Sequence, residues 1–93
     1  MTPLRLLADI GGTNIRLAWQ ALPGGPLNDL RVLPTARFAT LEAALSAYLQ
    51  DMGLPAPREA ALVIATPVTG DAVAMTNHSW RFSQRAVREA LGF

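Results

Sequence analysis

Asp9, Gly11, Gly12, Thr13 and Asn14 stand together at the end of an apolar run, Leu6-Leu7-Ala8-Asp9-Ile10. Each residue type has a chemical use there. Adjacent glycines permit positive φ and carry no Cβ, so the chain can reverse tightly and a ligand can approach the backbone. Successive N–H groups in such a turn form a concave donor nest for an anion, and Thr13 and Asn14 add side-chain donors. A lone carboxylate beside a bound phosphate would be repelled unless a cation lies between them. Mg²⁺ is commonly held in that way, by one or two carboxylates plus phosphate oxygens. The competing interpretation is an ordinary hairpin turn, for which Asp and Gly-Gly are equally suitable.

Elements able to position this turn can be read on both sides of it. Leu4–Ile10 is an apolar strand ended by Gly11-Gly12. Asn14–Gln20 follows with Ile15, Leu17 and Trp19 alternating with Arg16 and Ala18, which predicts a β-hairpin. Pro23-Gly24-Gly25-Pro26 is a loop. Leu30–Phe38 is expected as a third strand, with Pro34 restricting it to an edge or a bulge. Thr40 caps a helix to about Asp51, in which Leu41, Ala44, Leu45, Tyr48, Leu49 and Met52 form one apolar stripe. Gly53 supplies its left-handed end.

Ala60–Ala65 has the composition of a strand buried on both faces, parallel to the first strand through the helical crossover. Thr69-Gly70-Asp71 is a turn, and Ala72–Thr76 a further strand with Val73 and Met75 inward. Ser83 caps a last helix to Leu91, with Ala86, Val87, Ala90 and Leu91 on one face and Gly92 closing it. The expected class is mixed α/β. In open sheets of this kind ligands bind beyond the carboxyl ends of the strands, where both Asp9–Thr13 and Thr66-Pro67 fall.

Composition narrows the chemistry further. The chain has 93 residues, 51% hydrophobic and 16% charged, with net charge +1. One small ordered domain fits these values, and a chain of this size buries only about 60–65% of its unfolded surface. The weak net charge gives no field for nucleic acid or a membrane surface. All eight basic residues are arginine. Without lysine, the chain cannot itself form a Walker-type phosphate loop, a protein-kinase ATP site or a Schiff base. Without cysteine it has no disulfide, thiol nucleophile or cysteine-ligated zinc. Met1–Ala8 is too short for a signal peptide, and no apolar run approaches the ~20 residues of a membrane span. The expectation is a soluble cytoplasmic protein.

Leu7-Ala8-Asp9-Ile10-Gly11-Gly12-Thr13-Asn14-Ile15-Arg16-Leu17-Ala18 resembles the first phosphate motif of bacterial glucokinases, in the actin/hexokinase/Hsp70-like ATPase superfamily. Ile64-Ala65-Thr66-Pro67-Val68-Thr69-Gly70-Asp71, with Val73, Met75-Thr76-Asn77-His78-Ser79-Trp80 and Phe82-Ser83, resembles a second stretch of the same enzymes. The likeness spans nearly the whole chain and is weakest from Pro23 to Arg37. It implies a ribonuclease H-like (actin-like ATPase) mixed sheet with helices, truncated before its last strand. It also implies ATP and Mg²⁺ as cofactors. Ala8, Asp9, Ile10, Gly11, Gly12, Thr13 and Asn14 would contact the ATP phosphates, with Asp9 acting on Mg²⁺ through water. Thr66, Pro67, Thr76, Asn77 and His78 would help form the sugar cleft.

Family members phosphorylate the 6-hydroxyl of glucose, an aspartate accepting the hydroxyl proton. That aspartate lies in an Asn-Asp pair shortly after the segment resembling Ser83–Phe93, so this chain would hold no catalytic residue. The chain is therefore expected to be the N-terminal part of a small domain, with the large domain absent. By itself it would bind ATP–Mg²⁺ weakly and turn nothing over. Its last crossover would leave a sheet edge open to another chain, so a homodimer is one expected partner besides glucose and ATP; neither nucleic acid nor membrane is expected.

Other residues invite plainer interpretations. Asp71 suits a turn bonding its own backbone, and His78 has no Cys/His/Glu cluster beside it for a metal. Trp80 suits core or hinge packing, and Arg16 a solvated or salt-bridged strand position. The alternative function is a non-catalytic relative, such as a sugar-responsive repressor. Those proteins carry a helix-turn-helix ahead of the phosphate hairpin, and a chain starting at Met1 has no room for one before Asp9.

Overall fold

The computed structural model describes residues 3–64, 72–74 and 81–92. Strict alternation governs the first strand, β1 (Leu4–Ile10): Leu4, Leu6, Ala8 and Ile10 are buried, and Asp9 between them is exposed. Because side chains point to opposite faces at a period of two, burying Ala8 and Ile10 turns the Asp9 carboxylate outward. The second strand, β2 (Asn14–Ala21), pairs antiparallel with β1, Ile10 opposite Ile15 and Asp9 opposite Arg16. A third, β3 (Leu27–Pro34), pairs antiparallel with β2, and β4 (Glu59–Ile64) lies parallel to β1. The resulting sheet has the order β3-β2-β1-β4. The expected hairpin and parallel crossover are both present.

Two helices supply the other side of the core. Helix α1 (Leu41–Asp51) starts at Thr40, whose Oγ1 accepts the Ala43 N–H at 3.1 Å. It ends with Gly53 at φ +66° and the Leu54 N–H donating to the Leu49 carbonyl, which closes the last turn. Its predicted stripe is buried at Leu41, Ala44, Leu45, Tyr48 and Leu49. A two-stranded ribbon, β5 (Ala72–Ala74) and β6 (Arg81–Ser83), precedes α2 (Gln84–Leu91). Ser83 Oγ accepts the Ala86 N–H at 3.1 Å, and Gly92 takes φ +80°. Val87 and Leu91 join the core, whereas Ala86 and Ala90 are exposed, so the buried stripe is narrower than expected.

Two other expectations need correction. β4 is not covered on both faces: Ala60, Leu62 and Ile64 are half-buried, and Val63 is 63% exposed. An all-apolar run cannot reveal which of its faces the helices cover. β3 begins at Leu27 and ends at Pro34, and Thr35–Arg37 form a 3-10 turn instead of extending the strand. It is an edge strand, as its proline requires. The early start rests on Asp29, which takes φ +52° where the register slips between Leu17 and Trp19, a conformation that Asp tolerates better than most residues.

Asp29 is held there by the Trp19 indole N–H, which donates to its carboxylate at 2.8 Å, and by the Tyr48 hydroxyl, which donates to its carbonyl at 2.9 Å. Burial, with the Asp29 charge adding to it and Arg31 opposing, pushes the Tyr48 phenol up to about 12. A raised folded-state pKa favours the protonated native form. Its stability contribution is therefore complete below about pH 10 and lost as pH rises through about 12. Tyr48→Phe is expected to cost about 1 kcal/mol at pH 8 by removing one hydrogen bond. Because phenylalanine has no such titration, the gap should close between pH 10 and 12, which urea unfolding across that range would measure.

Candidate functional site

The β1–β2 connection carries the site. The Gly11 N–H donates to the Asn14 carbonyl at 3.0 Å, drawing the two strand ends tightly together. A Cβ on Gly11 would lie 2.8 Å from the Asn14 oxygen, closer than real Cβ atoms come to backbone. Close approach is thus the reason for glycine here. Among the described residues the positive φ angles fall at Gly24, Asp29, Gly53 and Gly92, not in this hairpin, so the expectation of positive φ is corrected.

Among the described residues the Gly12 and Thr13 N–H groups have no backbone acceptor. With Asp9, Gly11, Asn14 and Arg16 they line an open concavity of about 350 Å³. Asp9, Thr13, Asn14 and Arg16 are all exposed. Asp9 and Arg16 occupy opposed positions in the strand register yet form no ion pair with each other; the ion pair among the described residues joins Arg5 to Glu59. One acidic residue, one arginine and two residues whose amides have no partner among the described residues therefore line the same hollow. Arg16, expected to be solvated or salt-bridged, is solvated and belongs to this wall.

The predicted phosphate residues divide by strand alternation. Asp9, Gly11, Gly12, Thr13 and Asn14 share the concavity, whereas the side chains of Ala8 and Ile10 are buried in the core, 4% and 1% exposed. Only their backbone could meet a ligand. Thr66, Pro67, Thr76, Asn77 and His78, expected at a sugar cleft, lie outside the described residues, as do Asp71 and Trp80. The described residues contain no group of three or more His, Cys, Asp or Glu able to hold a metal. A single exposed carboxylate beside an anion nest fits a cation that keeps water and phosphate ligands, as Mg²⁺ does, and not one caged by protein.

Thr35 is the residue that sequence reasoning missed. It is fully buried at 0% exposure. Its Oγ1–H donates to the Gly11 carbonyl at 2.7 Å and its N–H to the Thr13 carbonyl at 2.9 Å. Its one sequence signal was a polar, β-branched residue just after the proline that ends β3.

The family model described as Glucokinase matches residues 6–93. The chain is 51% identical over 89 residues to the bifunctional protein glk of Burkholderia thailandensis, covering 96% of this chain and 14% of that protein. It is 47% identical over 93 residues to the glucokinase of Chromohalobacter salexigens, covering 100% of this chain and 29% of that one. The crystal structure of glucokinase from an Antarctic psychrotroph superposes with a TM-score of 0.85 at 29% identity, covering 100% of this chain and 30% of that one. The chain thus spans less than a third of the length of each of these relatives.

Proposed function

Because the chain belongs to the glucokinase family, we propose that it is the N-terminal part of the small domain of a longer sugar kinase, one that phosphorylates glucose at the 6-hydroxyl with ATP. The observation carrying this proposal is the β1–β2 hairpin: two amides without a partner among the described residues, beside an outward Asp9, in a chain of that family. The order of three antiparallel strands, a helix and a parallel strand suits a ribonuclease H-like, actin-like ATPase core. The proposed setting is the cytoplasm, where ATP is plentiful; among the described residues no helix is long and apolar enough to cross a membrane.

Phosphoryl transfer depends on positioning and charge stabilisation, with little covalent chemistry for the protein to perform. The Gly12 and Thr13 N–H groups would hold phosphate oxygens, and the Thr13 and Asn14 side chains would add donors at the rim. Asp9 would hold Mg²⁺ through water, and the ion when bound would neutralise phosphate charge. The Arg16 guanidinium adds positive charge to the same wall. Thr66, Pro67, Thr76, Asn77 and His78 would contribute to the sugar side. The aspartate that takes the hydroxyl proton would come from beyond Phe93, with the large domain.

A dehydrogenase-coupled assay on the longer protein tests this proposal. Glucose-dependent ADP release at about 1–100 s⁻¹ is expected, and none from residues 1–93 alone. An absence of glucose 6-phosphate from the longer protein would refute it.

A further inference from the structure

We propose that Thr35 is a positioning residue for nucleotide binding, one that sets the peptide planes of the hairpin and keeps its amides available; the inference rests on the phosphate-binding role proposed above. A trans peptide unit is planar, so its C=O and N–H point in opposite directions. Fixing a carbonyl therefore aims the amide of the following residue. Thr35 fixes two of them. Its hydroxyl takes the Gly11 carbonyl at 2.7 Å, which turns the Gly12 N–H away from Thr35. Its own N–H takes the Thr13 carbonyl at 2.9 Å, which orients the Asn14 N–H in the same way. One buried residue, the first of the 3-10 turn that follows β3, thus straddles the glycine doublet and holds it from beneath.

The hydroxyl has a second effect. The Gly11 N–H already donates to the Asn14 carbonyl. The reciprocal bond, from the Asn14 N–H to the Gly11 carbonyl, would complete an ordinary two-residue β-turn. Thr35 holds the Gly11 carbonyl turned towards its own hydroxyl, and among the described residues the Asn14 N–H makes no bond to that carbonyl. Without the hydroxyl the carbonyl is left without its buried donor, and the turn can recover a bond by closing on itself. A closed turn spends an amide and rotates the Gly11–Gly12 peptide that presents the Gly12 N–H.

The test compares wild type, Thr35→Val and Thr35→Ser in the longer protein, reading KM for ATP and for glucose together with kcat. Valine keeps the shape and removes the hydroxyl, whereas serine keeps the hydroxyl. T35V is expected to raise the ATP KM about tenfold, the loss of one well-placed hydrogen bond, with the glucose KM within about twofold. T35S should restore the ATP KM to within about twofold of wild type. An unchanged ATP KM in T35V, parallel rises for ATP and glucose, or a T35S protein that behaves as T35V each overturn the proposal. Where T35V does not fold, Thr35→Ala takes its place with the same expected split. Failure of both to fold makes Thr35 a core residue only and likewise overturns it. A wild-type protein that turns over glucose without any need for ATP would instead defeat the underlying phosphate reading, which separates the two failures.

Discussion

Gly11→Ala in the longer protein is expected to lower kcat/KM for ATP about a hundredfold. The added Cβ would meet the Asn14 carbonyl oxygen at 2.8 Å. That oxygen is backbone and cannot rotate out of the way as a side chain could. The hairpin must widen instead, which breaks the Gly11 N–H bond to Asn14 and displaces the Gly12 and Thr13 amides. Misplacement of binding groups by about 1 Å can cost about 10²-fold in rate. Steady-state kinetics at saturating glucose would check this, and a loss under about fivefold would contradict the account of the turn. Unfolding midpoints should fall as well, because the β1–β2 pair anchors the sheet.

Asp9→Asn should separate chemistry from stability. Asp9 is exposed and pairs with no cation among the described residues, so its stability effect is expected to stay within about 0.5 kcal/mol. Removing its charge should raise the Mg²⁺ concentration for half-maximal activity by about 10–100-fold, the usual cost of losing an outer ligand of a metal. A Mg²⁺ titration at fixed ATP would show that shift. A variant with unaltered Mg²⁺ dependence would remove Asp9 from the proposed site.

Together these residues show how far the sequence was legible. Period-two and helical spacing announced β1, β2 and α1, because local alternation and burial agree over most of their length, although in β2 Ala18 is buried and Trp19 only partly so. The Asp-x-Gly-Gly-Thr stretch was visible for the same reason: a lone charge and two glycines have no role in an apolar strand. What sequence concealed was long-range. The outward face of β4 is set by which side the helices cover. The start of β3 depends on Asp29 at positive φ, fixed by Trp19 and by Tyr48 from a distant helix. Thr35 reaches back 24 positions to Gly11, and no local pattern encodes such a bond. The glycine at 11 was also legible for the wrong reason, since its close approach to Asn14 and not its φ demands it.

Main-chain amides at Gly12 and Thr13 are proposed to receive a nucleotide's phosphates. Amide chemical shifts answer it most directly, with glycine and threonine labelled by nitrogen-15 in the longer protein and Mg²⁺–ATP added stepwise. Saturable shifts are expected at Gly12 and Thr13, larger than at Gly24, Gly53 and Thr40, which lie outside the concavity. Saturable ATP binding that leaves Gly12 and Thr13 unmoved would contradict it.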